Sequence, residues 1–425
     1  MTAMTSVSLQ KQIRCINCWA RFPPEDVVWI SESRQLFGDQ LLGSDFAPRF
    51  QTLRFSPEGD GIDAYGARCT EVACPRCHLT IPRDLLSMRP FFVSVLGSPA
   101  CGKSFFLAAM TWKLRRTLPQ AFALDFTDAD RISNQALSDY ERSVFMSTKP
   151  AVPTLVGHLI PKTQLQGSQY NTVLSRGQST LLPKPLSFRI TPTADHPEVA
   201  NAESISRILC VYDNAGEHFL PGRDSGATPG TRHLAVSDLL LFLYDPLQDP
   251  RFVQAVGDAR LRRYSERFSV PLQQELILRE CMERISRHKG VERSSAREPQ
   301  LVVVVTKSDE WLPAVAARSI DLVSPFAMQH QGSPRCVNLT RLQDNSQQLR
   351  SMLMSSVPDI VHAAESVSKS AIFVAASALG TRPELDSEGR QMLRPADIQP
   401  EMVELPVCAG LALRSQGLVK LVKER

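Results

Sequence analysis

The chain has 425 residues, 43% of them hydrophobic and 22% charged, with a formal net charge of +4. That length exceeds one ordinary core, so a large domain and a small one are expected, and the apolar fraction excludes wholesale disorder. The small net charge gives no indication of nucleic acid as a partner, and no apolar run reaches the ~20 residues that a bilayer crossing needs. Met1 to Gln12 has no apolar core behind a basic start, so no secretory leader is read and a cytoplasmic location is expected.

Ten cysteines are present, and Cys15, Cys18, Cys69, Cys74 and Cys77 crowd the first part of the chain. Clustering of this kind is metal-like usage in a reducing compartment rather than a disulfide framework. Cys15-Ile16-Asn17-Cys18 and Cys74-Pro75-Arg76-Cys77 are two C-x-x-C knuckles. Four thiolates so arranged suit a closed, tetrahedral, structural Zn²⁺ site. The pair resembles a zinc ribbon with a long intervening segment, and Cys69 and His78 are alternative ligands. Residues 1–89 therefore read as a zinc-ribbon-like module that serves docking rather than catalysis.

From residue 90 onward, short apolar runs alternate with helical segments, which predicts an α/β domain, 90–425, with a mostly parallel sheet flanked by helices. Six strands are expected: Phe91–Leu96, Leu186–Thr191, Arg207–Tyr212, Asp238–Tyr244, Leu301–Thr306 and Ala371–Ala376. Most are near-continuous apolar runs, as strands buried on both faces require. A helix is expected over Phe105–Leu118, ending at Pro119. Insertions are read at about 127–185, rich in polar residues and Pro, and at about 246–300. The second reads as a helical lobe from the spacing of Phe252, Val256, Leu261 and Tyr264. Glu401–Val422 is expected to form one closing amphipathic helix.

Between the first strand and its helix stands Gly97-Ser98-Pro99-Ala100-Cys101-Gly102-Lys103-Ser104, the full G-x-x-x-x-G-K-[ST] pattern in its proper context. Gly97 and Gly102 let the backbone wrap phosphates with its amides turned inward, and the helix directs its positive end at the anion. Lys103 should reach the β- and γ-phosphates, and the Ser104 hydroxyl should ligate Mg²⁺. The Cys101 side chain is incidental to this chemistry. A P-loop fold follows, without a choice between ATP and GTP.

Three later segments point to guanine. Asp213-Asn214-Ala215-Gly216, after an apolar strand, resembles the D-x-x-G segment of GTPases. Thr306-Lys307-Ser308-Asp309, after another, resembles the [NT]-K-x-D element. Ser377-Ala378-Leu379 resembles the short S-A-x loop. Together, residues 91–380 resemble the TRAFAC-type, Ras-like GTPases. Tyr244-Asp245-Pro246 at a strand end is similar to the bacterial double-GTPase group.

The resemblance implies that Asp213 organises Mg²⁺ through water, that the Gly216 amide senses the γ-phosphate, and that Asp309 accepts from the guanine ring N–H and amino group. It also implies that the Lys307 stem lies over the base and that the Ser377–Ala378 backbone supports the guanine oxygen. A site built on such bonds rejects adenine because its polar groups would be left unpaired. Glu217 stands where many GTPases carry a water-orienting Gln and is the candidate to act on the attacking water, with His218 one residue late for the translation-factor pattern, so slow or partner-dependent hydrolysis is expected. Thr180 is the chosen Mg²⁺-closing threonine, and Arg176 or Arg223 are arginine-finger candidates. The function expected is a GTP-dependent switch, a hydrolase converting GTP to GDP, that signals to a protein partner. An ATPase, or a pseudo-GTPase scaffold that binds without turnover, stand as alternatives.

Overall fold

The structure, a computed structural model, describes residues 8–160, 170–175, 178–213, 231–266, 273–291, 298–316, 320–328 and 333–424. Its centre is a sheet of seven strands: β1 (Arg89–Gly97), β2 (Leu124–Asp128), β3 (Leu186–Pro192), β4 (Arg207–Asp213), β5 (Leu239–Tyr244), β6 (Gln300–Val305) and β7 (Ile372–Ala375). Their spatial order is β2-β3-β4-β1-β5-β6-β7. The last five run parallel, while β2 and β3 are antiparallel to their neighbours. All six expected strands are present. The seventh, β2, was not expected: only Leu124 and Phe126 of it are buried, and one such pair of apolar residues directly after a helix is a weak signal.

Every residue of β5 and β6 is buried, so both faces of the sheet must be covered. On one face Val93, Val95, Leu241 and Leu243 pack with α1 (Lys103–Phe122) and α7 (Leu405–Arg414). On the other, Phe242, Tyr244, Val303 and Val305 pack with helices between these: α3 (Gln274–Val291), α4 (Ser308–Ala316), α5 (Leu339–Ser356) and α6 (Pro358–Val367). Each such aliphatic side chain contributes about 1.5–3 kcal/mol by leaving water. α2 (Gln135–Phe145) lies against α1, where Trp112 and Phe145 stack with ring centroids 5.1 Å apart.

Over β4 and the start of β1, no long helix among the described residues covers the second face. Ile208, Cys210, Tyr212 and Phe92 instead share one cluster with Ile13, Cys15, Trp19, Cys74 and Leu85 of the cysteine-rich segment. That segment is built from short antiparallel pairs, among them Ile13–Arg14 with Arg21–Phe22 and Val28–Ile30 with Val72–Ala73. It acts as a cap whose own small core is completed by the sheet.

Two expectations need correction. Pro119 does not end α1, which runs on to Phe122 and closes through Ala123 in the left-handed conformation, its amide on the Leu118 carbonyl. Proline there removes one hydrogen bond near a helix end, a cost the buried Ala121 and Phe122 offset. The closing helix α7 is shorter than expected and not amphipathic: Leu405 to Leu411 are all buried. The 246–300 region is helical as expected, with Pro250–Val256, Ala259–Ser265 and α3, and Phe252, Val256 and Leu261 are buried.

Candidate functional site

The knuckles come together as their spacing predicts. The four ligand atoms of Cys15, Cys18, Cys74 and Cys77 all lie within 4.8 Å of one another. Cys15 Sγ is 3.8 Å from Cys77 Sγ, and Cys18 Sγ is 3.7 Å from Cys74 Sγ. A tetrahedron with Zn–S bonds of about 2.3 Å has edges of about 3.8 Å. Asn17 and Arg76 donate their amides to Cys15 Sγ and Cys74 Sγ, both at 3.3 Å, so the two knuckles share one geometry. Burial, then the neighbouring thiols, push the Cys15 thiol well up. A divalent cation among the sulfurs removes that penalty, and the donor set fits a structural Zn²⁺.

The alternative ligands are engaged elsewhere. Cys69 Sγ donates to the Ala67 carbonyl at 3.6 Å, and His78 Nδ1 pairs with Asp39 Oδ2 at 2.8 Å. Trp19 and His78, which follow the second cysteine of each knuckle, both take positive φ, of 60° and 59°. Such backbone costs of order 1–3 kcal/mol and needs outside support. Trp19 receives it from the sheet: its Nε1 donates to Tyr212 Oη at 2.9 Å, and Tyr212 Oη donates to the Ile16 carbonyl at 2.6 Å. Tyr212 also stacks on His233, with ring centroids 4.6 Å apart.

At the far end of β1 the chain turns through Ser98 to Gly102 into α1. Gly102, at φ 92°, is the residue before the helix, and as a glycine it offers no side chain to cap the helix start. Gly97 has no room for a side chain: an added Cβ would sit 2.8 Å from Cys101 Sγ and 2.9 Å from the Leu243 carbonyl oxygen. Cys101 is buried beneath the loop, and burial raises its thiol. Ala100 turns at φ 61°. Lys103 Nζ folds over the loop and donates to the carbonyls of Gly97 (3.0 Å) and Ser98 (2.9 Å). The loop thus presents uncapped helix amides and an ammonium at one place, an arrangement suited to a phosphate. Ser104 lies in the first turn of α1 and is half-buried.

Because β4, β1, β5, β6 and β7 are parallel, all their following loops emerge at one edge. Asp213 ends β4, opposite Val95, and Val305 pairs across to Tyr244 on one side and Ala375 on the other. β6 is two strand spacings from β1, about 10 Å. The segments after β6 and β7 touch directly: the Ser308 amide donates to the Ala376 carbonyl at 3.2 Å. Thr306 Oγ1 donates to the Tyr244 carbonyl at 3.1 Å, and the Trp311 indole donates to the Thr306 carbonyl at 2.8 Å. Ser377 Oγ accepts the Gly380 amide at 2.8 Å, which fixes the turn that carries Ala378.

Lys307, at φ 56°, sends Nζ to Asp245 Oδ2 at 2.5 Å and to Tyr264 Oη at 3.3 Å. Burial alone would lower its ammonium; the Asp245 carboxylate overrides this and holds it above the ordinary lysine range. Asp309 sits half-buried in the first turn of α4, and no hydrogen bond engages its carboxylate among the described residues.

Burial raises the Asp213 carboxyl, and the Lys103 ammonium pulls it the other way. The same Asp213 charge adds to burial in raising Tyr140 and Tyr170, the latter to about 12. Gly216, Glu217, His218, Arg176 and Arg223 lie outside the described residues. Thr180 sits in the hairpin Tyr170–Ser175/Gln178–Pro183, directly opposite Val173. Val173 and Leu182 enter the core of the cysteine-rich cap, so the hairpin face carrying Thr180 is turned to that cap. Sequence reasoning did not single out Trp19, Gln248 or Gln274 and gave Tyr212 no role. Its nearest signal was Tyr244-Asp245-Pro246.

No protein-family model matches the chain. A protein of Mycolicibacterium smegmatis, provisionally named as the ESX-1 scaffolding and assembly protein SaeC, is 25% identical over 193 residues, 45% of this chain and 42% of that protein. The match thus spans less than half of that curated relative. Among solved structures, elongation factor SelB from Methanococcus maripaludis, in complex with a GTP analogue, covers 69% of this chain and 30% of its own at 8% identity and TM-score 0.20. Sup35 complexed with GDP covers 80% and 48% at 10% identity and TM-score 0.23. The GTPase-like domain of S. cerevisiae Ski7, bound to GTP, covers 71% and 48% at 10% identity and TM-score 0.20. At such scores the likeness adds nothing to the strand order and the loop. Those two define the class: a mixed α/β fold of the P-loop NTPase type, with a four-cysteine module in front.

Proposed function

We propose that this chain binds GTP with Mg²⁺ and acts as a nucleotide-dependent switch for a protein partner. The observation that carries the reading is the shared edge. A phosphate-type loop at Gly97–Ser104, Asp213 on one side, and the mutually bonded Thr306–Asp309 and Ala376–Ala378 segments on the other all follow parallel strands of one sheet. In this reading the loop amides with Lys103 hold the phosphates, and Ser104 and Asp213 hold Mg²⁺ directly and through water. Lys307 and Asp309 take the guanine, with Ser377 and Ala378 behind its oxygen. Gly216 and Glu217 would sense and act at the γ-phosphate. The cap supplies a zinc-stapled surface. The name of the M. smegmatis relative, a scaffolding and assembly protein, supports protein partners for this chain too.

The same name favours a second reading, in which the chain binds GTP and scaffolds without turning it over. Titration of purified protein with fluorescent GTP and ATP tests the first statement: GTP binding with ATP at least about tenfold weaker is expected. Preference for ATP would overturn the base assignment. Phosphate release during the same incubation separates switch from scaffold.

A further inference from the structure

Behind the phosphate loop lies a buried polar network that phosphate binding alone does not require. Asp245 follows β5; its Oδ2 accepts from Lys307 Nζ at 2.5 Å and from Gln248 Nε2 at 3.0 Å, and its Oδ1 accepts the Leu247 amide at 3.1 Å. Gln274, at the start of α3, clasps the same residue by its backbone. The Asp245 amide donates to Gln274 Oε1 at 3.0 Å, and Gln274 Nε2 donates to the Asp245 carbonyl at 2.8 Å. Both glutamines also reach the loop. Ser98 Oγ lies 3.2 Å from Gln248 Oε1 and 3.3 Å from Gln274 Oε1, so its hydrogen is shared between them. Gln248 Nε2 donates to the Pro99 carbonyl at 3.3 Å. Asp245 and Gln274 are 0% exposed and Gln248 is 2% exposed.

Stability does not explain such a cluster. A buried ion pair is often replaced by apolar residues of similar volume at no loss, so it is weak evidence of a stabilising role. A fully bonded one does fix geometry. Its two ends here are the Ser98–Pro99 turn and the Lys307 ammonium, and Lys307 is held in a backbone conformation that non-glycine residues avoid.

We propose that Asp245, with Gln248 and Gln274, positions Lys307 against the phosphate loop, so that the phosphate and purine subsites keep one fixed spacing. The inference rests on the guanine-nucleotide reading above and adds to it the device that joins the two halves of the site. Its ligand class follows: a purine nucleotide that spans both ends gains from the network, whereas an inorganic polyphosphate that occupies only the loop does not.

The test titrates the whole chain, as wild type, Asp245→Asn and Gln248→Ala, with GTP and with inorganic tripolyphosphate, each with Mg²⁺. Asp245→Asn should weaken GTP by about tenfold or more and leave tripolyphosphate within about twofold. Gln248→Ala keeps the Asp245–Lys307 pair and cuts the link to Pro99; about a threefold loss for GTP alone is expected, and it carries the test if Asp245→Asn does not fold. Unchanged GTP affinity in a folded variant overturns the inference, as does an equal fall for both ligands, which would mean a deformed loop. Wild-type protein that binds no GTP overturns the functional reading as well, so the two failures are distinct.

Discussion

The cysteine cap and the proposed nucleotide edge meet on the same sheet but are built from different material. The cap makes its site from four side chains on two knuckles, with Cys18 and Cys74 56 residues apart in the chain, brought to tetrahedral spacing. The proposed nucleotide edge is made mostly from backbone: a turn into a helix that starts at a glycine, and loops that leave parallel strands side by side. A side-chain site is complete once its ligands meet, and it fails when one is removed. A backbone site depends on the whole sheet keeping its register, and no single residue owns it.

The largest effect expected from this contrast is at the cap. Cys74→Ser removes one of the four ligands, itself buried, and metal analysis of the purified chain should fall from one zinc to none. Structural zinc contributes apparent folding free energies of about 10–16 kcal/mol in small modules. The cap covers β4, so a large drop in the thermal midpoint should accompany the loss. Full zinc retention would show that the cluster is not the metal site.

At the proposed nucleotide edge a single side chain should matter less. Lys103→Ala removes the ammonium and leaves the loop amides, so GTP affinity should fall by about 1.5–3 kcal/mol, roughly tenfold to a hundredfold. Lys103 is half-buried and bonds only loop carbonyls among the described residues, so the thermal midpoint should barely move. A large loss of stability with intact binding would invert the comparison.

The smallest effect joins the two regions. Tyr212→Phe leaves the Trp19 indole and the Ile16 carbonyl without their buried partner. About 1–3 kcal/mol of stability should be lost, measurable by denaturant unfolding. If stability does not change, the Tyr212 hydrogen bonds do not hold the cap to the sheet.

Much of this architecture was legible in the sequence because burial on both faces forces long apolar runs, as in Leu239–Tyr244 and Gln300–Val305. The phosphate-type loop and the two knuckles were legible because their chemistry fixes residue type and spacing together. What escaped notice depends on distant contacts. β2 is an edge strand with two inward side chains, and Pro119 is tolerated only because the turn after it is buried. Trp19 shows its role only when Tyr212, far along the chain, is placed beneath it. Gln248 and Gln274 read as ordinary helical-lobe residues until Asp245 is found buried between them. Thr180 stands shortly before a strand, which is legible in the sequence, whereas the hairpin register that turns its face to the cap is not.

Asp309→Asn tests the account most directly, by competition of xanthosine and guanosine triphosphates for the purified chain. An amide at this position donates where the carboxylate accepted, so it matches the xanthine oxygen and opposes the guanine amino group. The account predicts that the wild type prefers guanine and that the variant prefers xanthine, each by about tenfold or more. A variant that keeps the wild-type preference would remove Asp309 from the base subsite and leave only a phosphate-binding loop at this edge.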